Sequence, residues 1–210
     1  MFLHSVVRFL LTIHIFCGFI SLFSAFGAMF SSKGQVKHRK FGRIFFYSMT
    51  GIFITAIPIS IIKNNLFLFL IALFSYYLAF SGWRYAKNRN GIPGKVDVIV
   101  SGTMLGISII MVSIGAYTFN TDNFRTITLL VFGFIGCGFS YSDLKSHRNH
   151  TATGIQRISN HLSAMLGATI ATLTAFSVTN IHIHPQIILW LGPTILLTPF
   201  IIWWKHKIIK

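Results

Sequence analysis

The stretch that decides the fold class is SSKGQVKHRKFGR, residues 31–43. It contains one histidine, His38, no acidic residue, and five basic residues: Lys33, Lys37, Arg39, Lys40 and Arg43. Almost wholly apolar runs flank it on both sides. In a soluble protein such a segment would bind phosphate groups. In a membrane protein it would be a loop that stays on one side of the bilayer, because charged loops near membrane spans are retained there.

The composition of the chain distinguishes these two interpretations. Of the 210 residues, 53% are hydrophobic and only 10% are charged, with 18 Lys and Arg against 3 acidic residues. A soluble domain usually has about 25% charged residues, so this chain has too few to cover a water-facing surface. The sequence therefore predicts an integral membrane protein.

The apolar runs predict an all-α, polytopic bundle of seven transmembrane helices in a single integral membrane domain, residues 1–210. Each run is about as long as a helix needs to be to cross a hydrocarbon core of roughly 30 Å. Turn-forming residues separate the runs, as in SSKG, KNRNGIPGK and NIHIHP. The predicted spans are roughly 5–30, 42–62, 66–84, 97–119, 126–143, 161–180 and 186–204.

The basic residues predict the orientation of the chain. All but three of the 18 Lys and Arg residues fall in the loops after spans one, three and five or in the C-terminal tail. The three others are Arg8, Lys63 and Arg125. Because Lys and Arg are enriched in cytoplasmic loops, the N-terminus is predicted outside and the C-terminus in the cytoplasm. The net charge of +15 then faces anionic lipid of the bilayer, and no nucleic-acid partner is predicted.

The three carboxylates argue against a proton pump. Asp97 and Asp143 are expected at the cytoplasmic ends of spans four and five, and Asp122 in an outer loop. None is predicted at mid-membrane, where an ionisable group would indicate a proton pathway. Asp97 and Asp143 are instead expected to pair with Arg or Lys. No nucleophile stands at a recognisable spacing from a base, so no catalytic residue is predicted and enzyme activity stays open.

The histidines are the candidates for a cofactor site. Of nine, His14 lies inside span one, whereas His38 and His161 lie towards the cytoplasmic face. Histidines near both faces of a helical bundle are typical of b-type cytochromes, in which imidazoles ligate the haem iron. His14, His38 and His161 are therefore predicted to bind haem b. Another metal, or no metal, remains an alternative.

Small residues predict where helices pack closely. Gly102 and Gly106 form a GxxxG pattern in span four, and span six carries Ala164 and Ala168 on one side. Small side chains at this spacing let helix backbones approach one another within a membrane.

Several segments resemble a family of bacterial seven-span membrane proteins that is catalogued only as a domain of unknown function. The segments are LTIHIFCGFISL, KGQVKHRKFGRIFFYSM, NLFLFLIALFSYYLAFSGWR and ISNHLSAMLGATIATLTAFSVTN. The most specific patterns are KGxxxHRxxGR and HxxxMxGAxIATxTAF, and the resemblance covers most of the chain. It implies seven helices, the bacterial inner membrane and no established activity. It also implies that His14, His38 and His161 are motif histidines, unlike those at 147, 150, 182 and 184.

Three functional hypotheses follow from the sequence. The first is a membrane redox protein that binds haem b. The second is a permease for a neutral or lipid-like solute, with a path lined by Tyr76, Tyr77 and Thr172. The third is a non-enzymatic accessory subunit of a membrane complex.

Overall fold

The computed structural model describes residues 2–119 and 123–209, and in these ranges the chain forms seven helices. Asp122, predicted in an outer loop, lies outside the described residues. The helices are α1 (Phe2–Phe30), α2 (Val36–Ile62), α3 (Leu66–Lys87), α4 (Lys95–Tyr117), α5 (Phe124–Arg148), α6 (Gly154–Asn180) and α7 (Ile187–Ile209).

All seven helices are long and apolar enough to cross a membrane. The predicted all-helical class and the number of spans are thereby confirmed. The helix ends differ from the prediction, because basic residues extend the helices beyond their apolar parts. Helix α2 begins at Val36 rather than near 42, and α5 continues to Arg148. Much of the basic stretch at 31–43 is therefore helical.

Many large apolar side chains face outwards, and many small hydroxyl groups are buried. Phe23 is 72% exposed, whereas Ser21 and Ser140 are fully buried. A water-soluble bundle has the opposite distribution, because exposed apolar area is costly in water. In lipid, small interior residues allow close helix packing, and outward Phe and Ile side chains contact acyl chains.

The helices cluster into two compact units, Met1–Tyr76 and Tyr77–Lys210, with the boundary inside α3. In the first unit α1 packs against α2. The two helices approach closely at Gly51, where an added Cβ would lie 2.7 Å from Cys17 Sγ. Two residues further along α2, the ring of Phe53 stacks on that of Tyr76, with centroids 4.3 Å apart.

The loop between α1 and α2 caps the C-terminal end of α1. The carbonyl oxygen of Ala28 accepts hydrogen bonds from Ser31 Oγ at 3.1 Å and Lys33 Nζ at 3.2 Å. His38 Nδ1 lies 3.0 Å from the same oxygen, and Lys33 also donates to the Met29 carbonyl. The last carbonyls of a helix have no hydrogen-bond donor within the helix, so these side chains donate to carbonyl groups that would otherwise lack one.

In the second unit α4 packs against α5, and α7 packs against both α6 and α5. The close approach of α4 and α5 is at Gly115 and Gly133. A Cβ added at Gly133 would lie 2.7 Å from Val112 Cγ2 and 3.0 Å from the Val112 backbone nitrogen. A Cβ added at Gly102 or Gly106 would meet nothing within 4 Å. The predicted GxxxG contact is therefore wrong for this chain, whereas Ala164 and Ala168 are buried as expected.

We predict that Gly133→Ala destabilises the protein by about 1–3 kcal/mol, because the new methyl group meets backbone atoms that cannot move aside. Gly106→Ala is the matched control: its methyl group enters open space, and alanine favours the helix by about 1 kcal/mol. Thermal unfolding of the detergent-purified variants measures both. Equal loss of stability in the two variants would contradict this account of the packing.

Candidate functional site

The most unusual polar group of the second unit is Asp143, on α5, whose side chain is buried. Its carboxylate accepts three hydrogen bonds from hydroxyl groups of α3. Tyr77 Oη and Ser81 Oγ donate to Oδ2 at 2.6 Å and 2.5 Å, and Tyr85 Oη donates to Oδ1 at 2.7 Å. We call these four residues the Asp143 cluster.

The helical repeat of α3 brings the three donors together. Tyr77, Ser81 and Tyr85 are spaced by four residues, so their side chains project from one face of the helix. All three are buried. Helix α3 thus presents a line of hydroxyl groups to a single carboxylate of α5.

Asp143 has no ionic partner among the residues that the structure describes, in contrast to Asp97. The Arg84 guanidinium holds Asp97 with two parallel hydrogen bonds, Nε to Oδ1 at 2.5 Å and Nη2 to Oδ2 at 2.8 Å. The backbone N–H of Gly94 also donates to Asp97 at 2.8 Å and caps the start of α4. The expected ion pair is confirmed for Asp97 and wrong for Asp143, where hydroxyl groups replace the cation.

A narrow cleft adjoins the Asp143 cluster. Its lining includes Tyr77, Ser81 and Tyr85 and, beyond them, Arg84, Asp97 and His147. The His147 ring stacks on Tyr85 with the centroids 6.2 Å apart. The cavity volume is about 20 Å³, enough for one water molecule or one small ion.

Helix α6 fixes the end of α3 that carries this cluster. Arg157 Nη1 donates to the Tyr85 carbonyl oxygen at 2.8 Å, which is one of the last four carbonyls of α3. His161 Nδ1 lies 2.8 Å from the carbonyl oxygen of Gly82. The close approach of α6 at this point requires a glycine at position 82, because a Cβ there would lie 3.1 Å from the Met165 backbone nitrogen. Two side chains of α6 thus hold the backbone beside the Asp143 cluster.

The three predicted cofactor ligands are half-buried, and the two in the first unit, His14 and His38, lie apart. His14, on α1, has Nδ1 3.0 Å from Thr55 Oγ1, and His38 contacts Ala28 at the opposite end of α1. His14 and Ala28 are separated by about 21 Å along the helix. His14 and His38 therefore cannot ligate the same metal ion. His161 belongs to the second unit, and the described residues contain no group of three His, Cys, Asp or Glu placed to hold a metal ion.

The hydrogen bonds of these histidines define their tautomers. A carbonyl oxygen only accepts hydrogen bonds, so His38 and His161 must carry their proton on Nδ1. The Thr55 hydroxyl donates to the carbonyl of Gly51 or Ile52, so it accepts from His14 Nδ1 in turn. In each neutral ring the lone pair is then on Nε2, the nitrogen through which an imidazole so oriented ligates a metal.

The hydroxyl groups proposed to line a permease path are occupied within the protein. Tyr77 donates to Asp143, and Tyr76 accepts from Thr50 Oγ1 at 3.4 Å. Thr172 donates to the Ala168 carbonyl of its own helix at 3.0 Å.

Comparisons of the chain with family models, curated proteins and solved structures gave no match. The resemblance of its motifs to a seven-span bacterial family stays a prediction.

We predict that Arg84→Gln destabilises the protein by about 2 kcal/mol, because it leaves the buried Asp97 carboxylate without its cation. The double variant Arg84→Gln/Asp97→Asn should lose less than the sum of the two single variants, since neither charge is then left alone. Unfolding free energies of the four proteins form a double-mutant cycle. Additive effects would show that the pair makes no net contribution.

Proposed function

We propose that this chain is a multi-pass protein of the bacterial inner membrane, with its N-terminus outside and its C-terminus in the cytoplasm. The distribution of Lys and Arg supports this orientation. The resemblance to the bacterial seven-span family supports the location. In this orientation the Asp143 cluster and the Arg84–Asp97 pair lie towards the cytoplasmic side, since their α3 members are in the C-terminal half of that helix, Asp97 is in the first turn of α4 and Asp143 is near the C-terminal end of α5.

Reporter fusions test the orientation. Alkaline phosphatase inserted after Asn64, between α2 and α3, should be active because it folds only outside the cytoplasm. The same insertion after Gly91, between α3 and α4, should be inactive, and a green fluorescent protein at the C-terminus should fluoresce. The reverse pattern would overturn the proposed orientation.

The specific function that we propose is that of a membrane redox protein that binds haem b, with ligands drawn from His14, His38 and His161. The observation that carries this proposal is the shared hydrogen-bonding pattern of the three rings: each Nδ1 contacts an oxygen acceptor. Haem-ligating histidines are usually oriented in this way, with the second nitrogen towards the iron. Each ring is therefore oriented as an iron ligand would be, with Nε2 available to carry the lone pair.

The chain would hold and orient the ligands through its own backbone. The Ala28 carbonyl fixes the ring of His38 and the Gly82 carbonyl fixes that of His161. Thr55 does the same for His14. When bound, haem supplies reversible one-electron transfer at its iron. His14 lies on α1, and His38, on α2, contacts the far end of α1 at Ala28. The two histidines would therefore serve separate haem groups, one nearer each face of the membrane.

The first test is the absorption spectrum of the full chain, expressed with a haem precursor and purified in detergent. The reduced protein should show a Soret band and sharp α and β bands. His14→Ala, His38→Ala and His161→Ala should each lose haem, because each removes a proposed ligand. His182→Ala, an exposed histidine outside the family motifs, is the matched control. Thr55→Val should retain haem but shift its reduction potential, because it removes only the group that orients His14.

A spectrum without a Soret band, with iron at background level, would overturn the haem proposal. Equal haem content in the wild-type protein and all three histidine variants would overturn the ligand assignment.

A further inference from the structure

The carboxylate of Asp143 is buried behind hydroxyl-bearing side chains of α3. Asp143 is 4% exposed and is not among the residues that line the cleft. Tyr77, Ser81 and Tyr85 do line the cleft, and each donates a hydrogen bond to the carboxylate. The cleft, with a volume of about 20 Å³, has room for one water molecule. Water in the cleft can therefore meet this hydroxyl layer but not the carboxylate behind it.

This arrangement separates the carboxylate from ions but not from protons. A hydroxyl oxygen has one donor hydrogen and two acceptor lone pairs. Because each hydrogen is directed at Asp143, the oxygen can accept a second proton from its other side. Its original O–H bond then breaks as a new O–H bond forms on the carboxylate. A hydronium ion in the cleft becomes water, the hydroxyl group is regenerated, and Asp143 becomes neutral.

Tyr85 is the hydroxyl best placed to receive protons. It lies in the last turn of α3, which is the end nearer the cytoplasm in the proposed orientation. Its ring stacks on that of His147, which is half-buried and lines the same cleft. An imidazole accepts and releases protons near neutral pH, so His147 can supply them to the cleft. Ser146 and Asn160 are the other polar neighbours of the Tyr85 hydroxyl.

A proton is also the species that can neutralise Asp143 without changing its neighbours. No Lys, Arg or His side chain forms a hydrogen bond or ion pair with it in the part of the chain that the structure describes, and Arg84 is paired with Asp97. An uncompensated buried carboxylate is costly inside a membrane protein, and proton uptake removes that charge.

The titratable groups around the Asp143 cluster come from four helices. Among the described residues, α7 contributes none to the hydrogen bonds of Asp143 or to the lining of the cleft. The groups that face Asp143, line the cleft or bind the adjoining α3 backbone are Tyr77, Arg84 and Tyr85 of α3, Asp97 of α4, His147 of α5, and Arg157 and His161 of α6.

We infer that Asp143 is a buried proton-binding site that exchanges one proton with the cytoplasmic side through the hydroxyl group of Tyr85. Proton uptake turns one carboxylate oxygen from an acceptor into a donor, so it rearranges the hydrogen bonds that join α3 to α5. The α3–α5 contact thus responds to the pH on one side of the membrane. The inference is independent of haem binding, because it involves none of the three proposed ligand histidines. The proposed orientation decides only which side supplies the proton.

Infrared difference spectroscopy of the full chain, purified in detergent without haem, tests the proton-binding site. Titration from about pH 9 to about pH 4 covers the range in which a carboxylate takes up a proton. Uptake by Asp143 should produce the carbonyl stretching band of a carboxylic acid, and this band should shift in D₂O. The assignment is tractable because the chain has only three acidic side chains. The band should be absent in Asp143→Asn and present in Asp97→Asn, the matched control at the same cleft.

Tyr85→Phe tests the path, because it keeps the ring beside His147 and removes the hydroxyl group. After a rapid drop in pH, the band should appear more slowly than in the wild type, by about tenfold or more. Tyr76→Phe, on the same helix but outside the cluster, should match the wild type. Tyr77→Phe should move the band to higher frequency, because the carboxyl group loses a hydrogen bond. This last variant identifies the band even if Asp143→Asn does not fold.

A carboxylic acid band that is absent, or constant over the whole pH range, would overturn the proton-binding site. So would a band that neither Asp143→Asn nor Tyr77→Phe alters. Equal rates in the wild type and Tyr85→Phe would overturn the path through Tyr85.

Discussion

The structure depends on one constraint: a polar group inside a membrane must find its partner within the protein. Many buried hydroxyls meet this constraint locally. Ser24, Thr128 and Ser140 each donate to a carbonyl four residues earlier in the same helix, at 2.6 Å. Asp143 cannot, because a carboxylate needs donors and the backbone N–H groups within a helix are already used. Its donors must come from another helix, and this requirement ties α5 to α3.

The C-terminal half of α3 is consequently the central element of the second unit. One face carries the three hydroxyls that bind Asp143 on α5. Leu78 and Gly82 contact α6, where a Cβ at Gly167 would lie 3.3 Å from Leu78 Cδ1. Arg84 extends to Asp97 at the start of α4. A single stretch, YLAFSGWRY, thus contributes polar contacts to one neighbour, steric contacts to a second and an ion pair to a third.

Hydropathy predicted the number of helices and the membrane class, because both depend on the free energy of transferring long apolar segments into lipid. It did not predict the partners of polar residues, which depend on how helices are arranged. Asp143 was expected to pair with Lys or Arg because its sequence neighbours are basic. The signal for its true donors was the four-residue spacing of Tyr77, Ser81 and Tyr85, combined with an acid in an otherwise apolar span. The Gly102–Gly106 pattern was misleading for a similar reason. The spacing of the two glycines permits another helix to pack closely against α4, but whether one does so depends on the arrangement of the helices.

The caps at Ala28 have a consequence for the order of assembly. All three side chains that bind this carbonyl lie within ten residues of it in the sequence. The turn between α1 and α2 can therefore form as soon as it is synthesised, and the first two helices can enter the bilayer as a closed hairpin. The donors of Asp143 precede it by 58 to 66 residues. During translation, α3 is made before α5, so its three hydroxyls lack the Asp143 carboxylate until α5 arrives. Each newly made chain thus has an interval in which α3 depends on the insertion machinery or on water for its polar contacts.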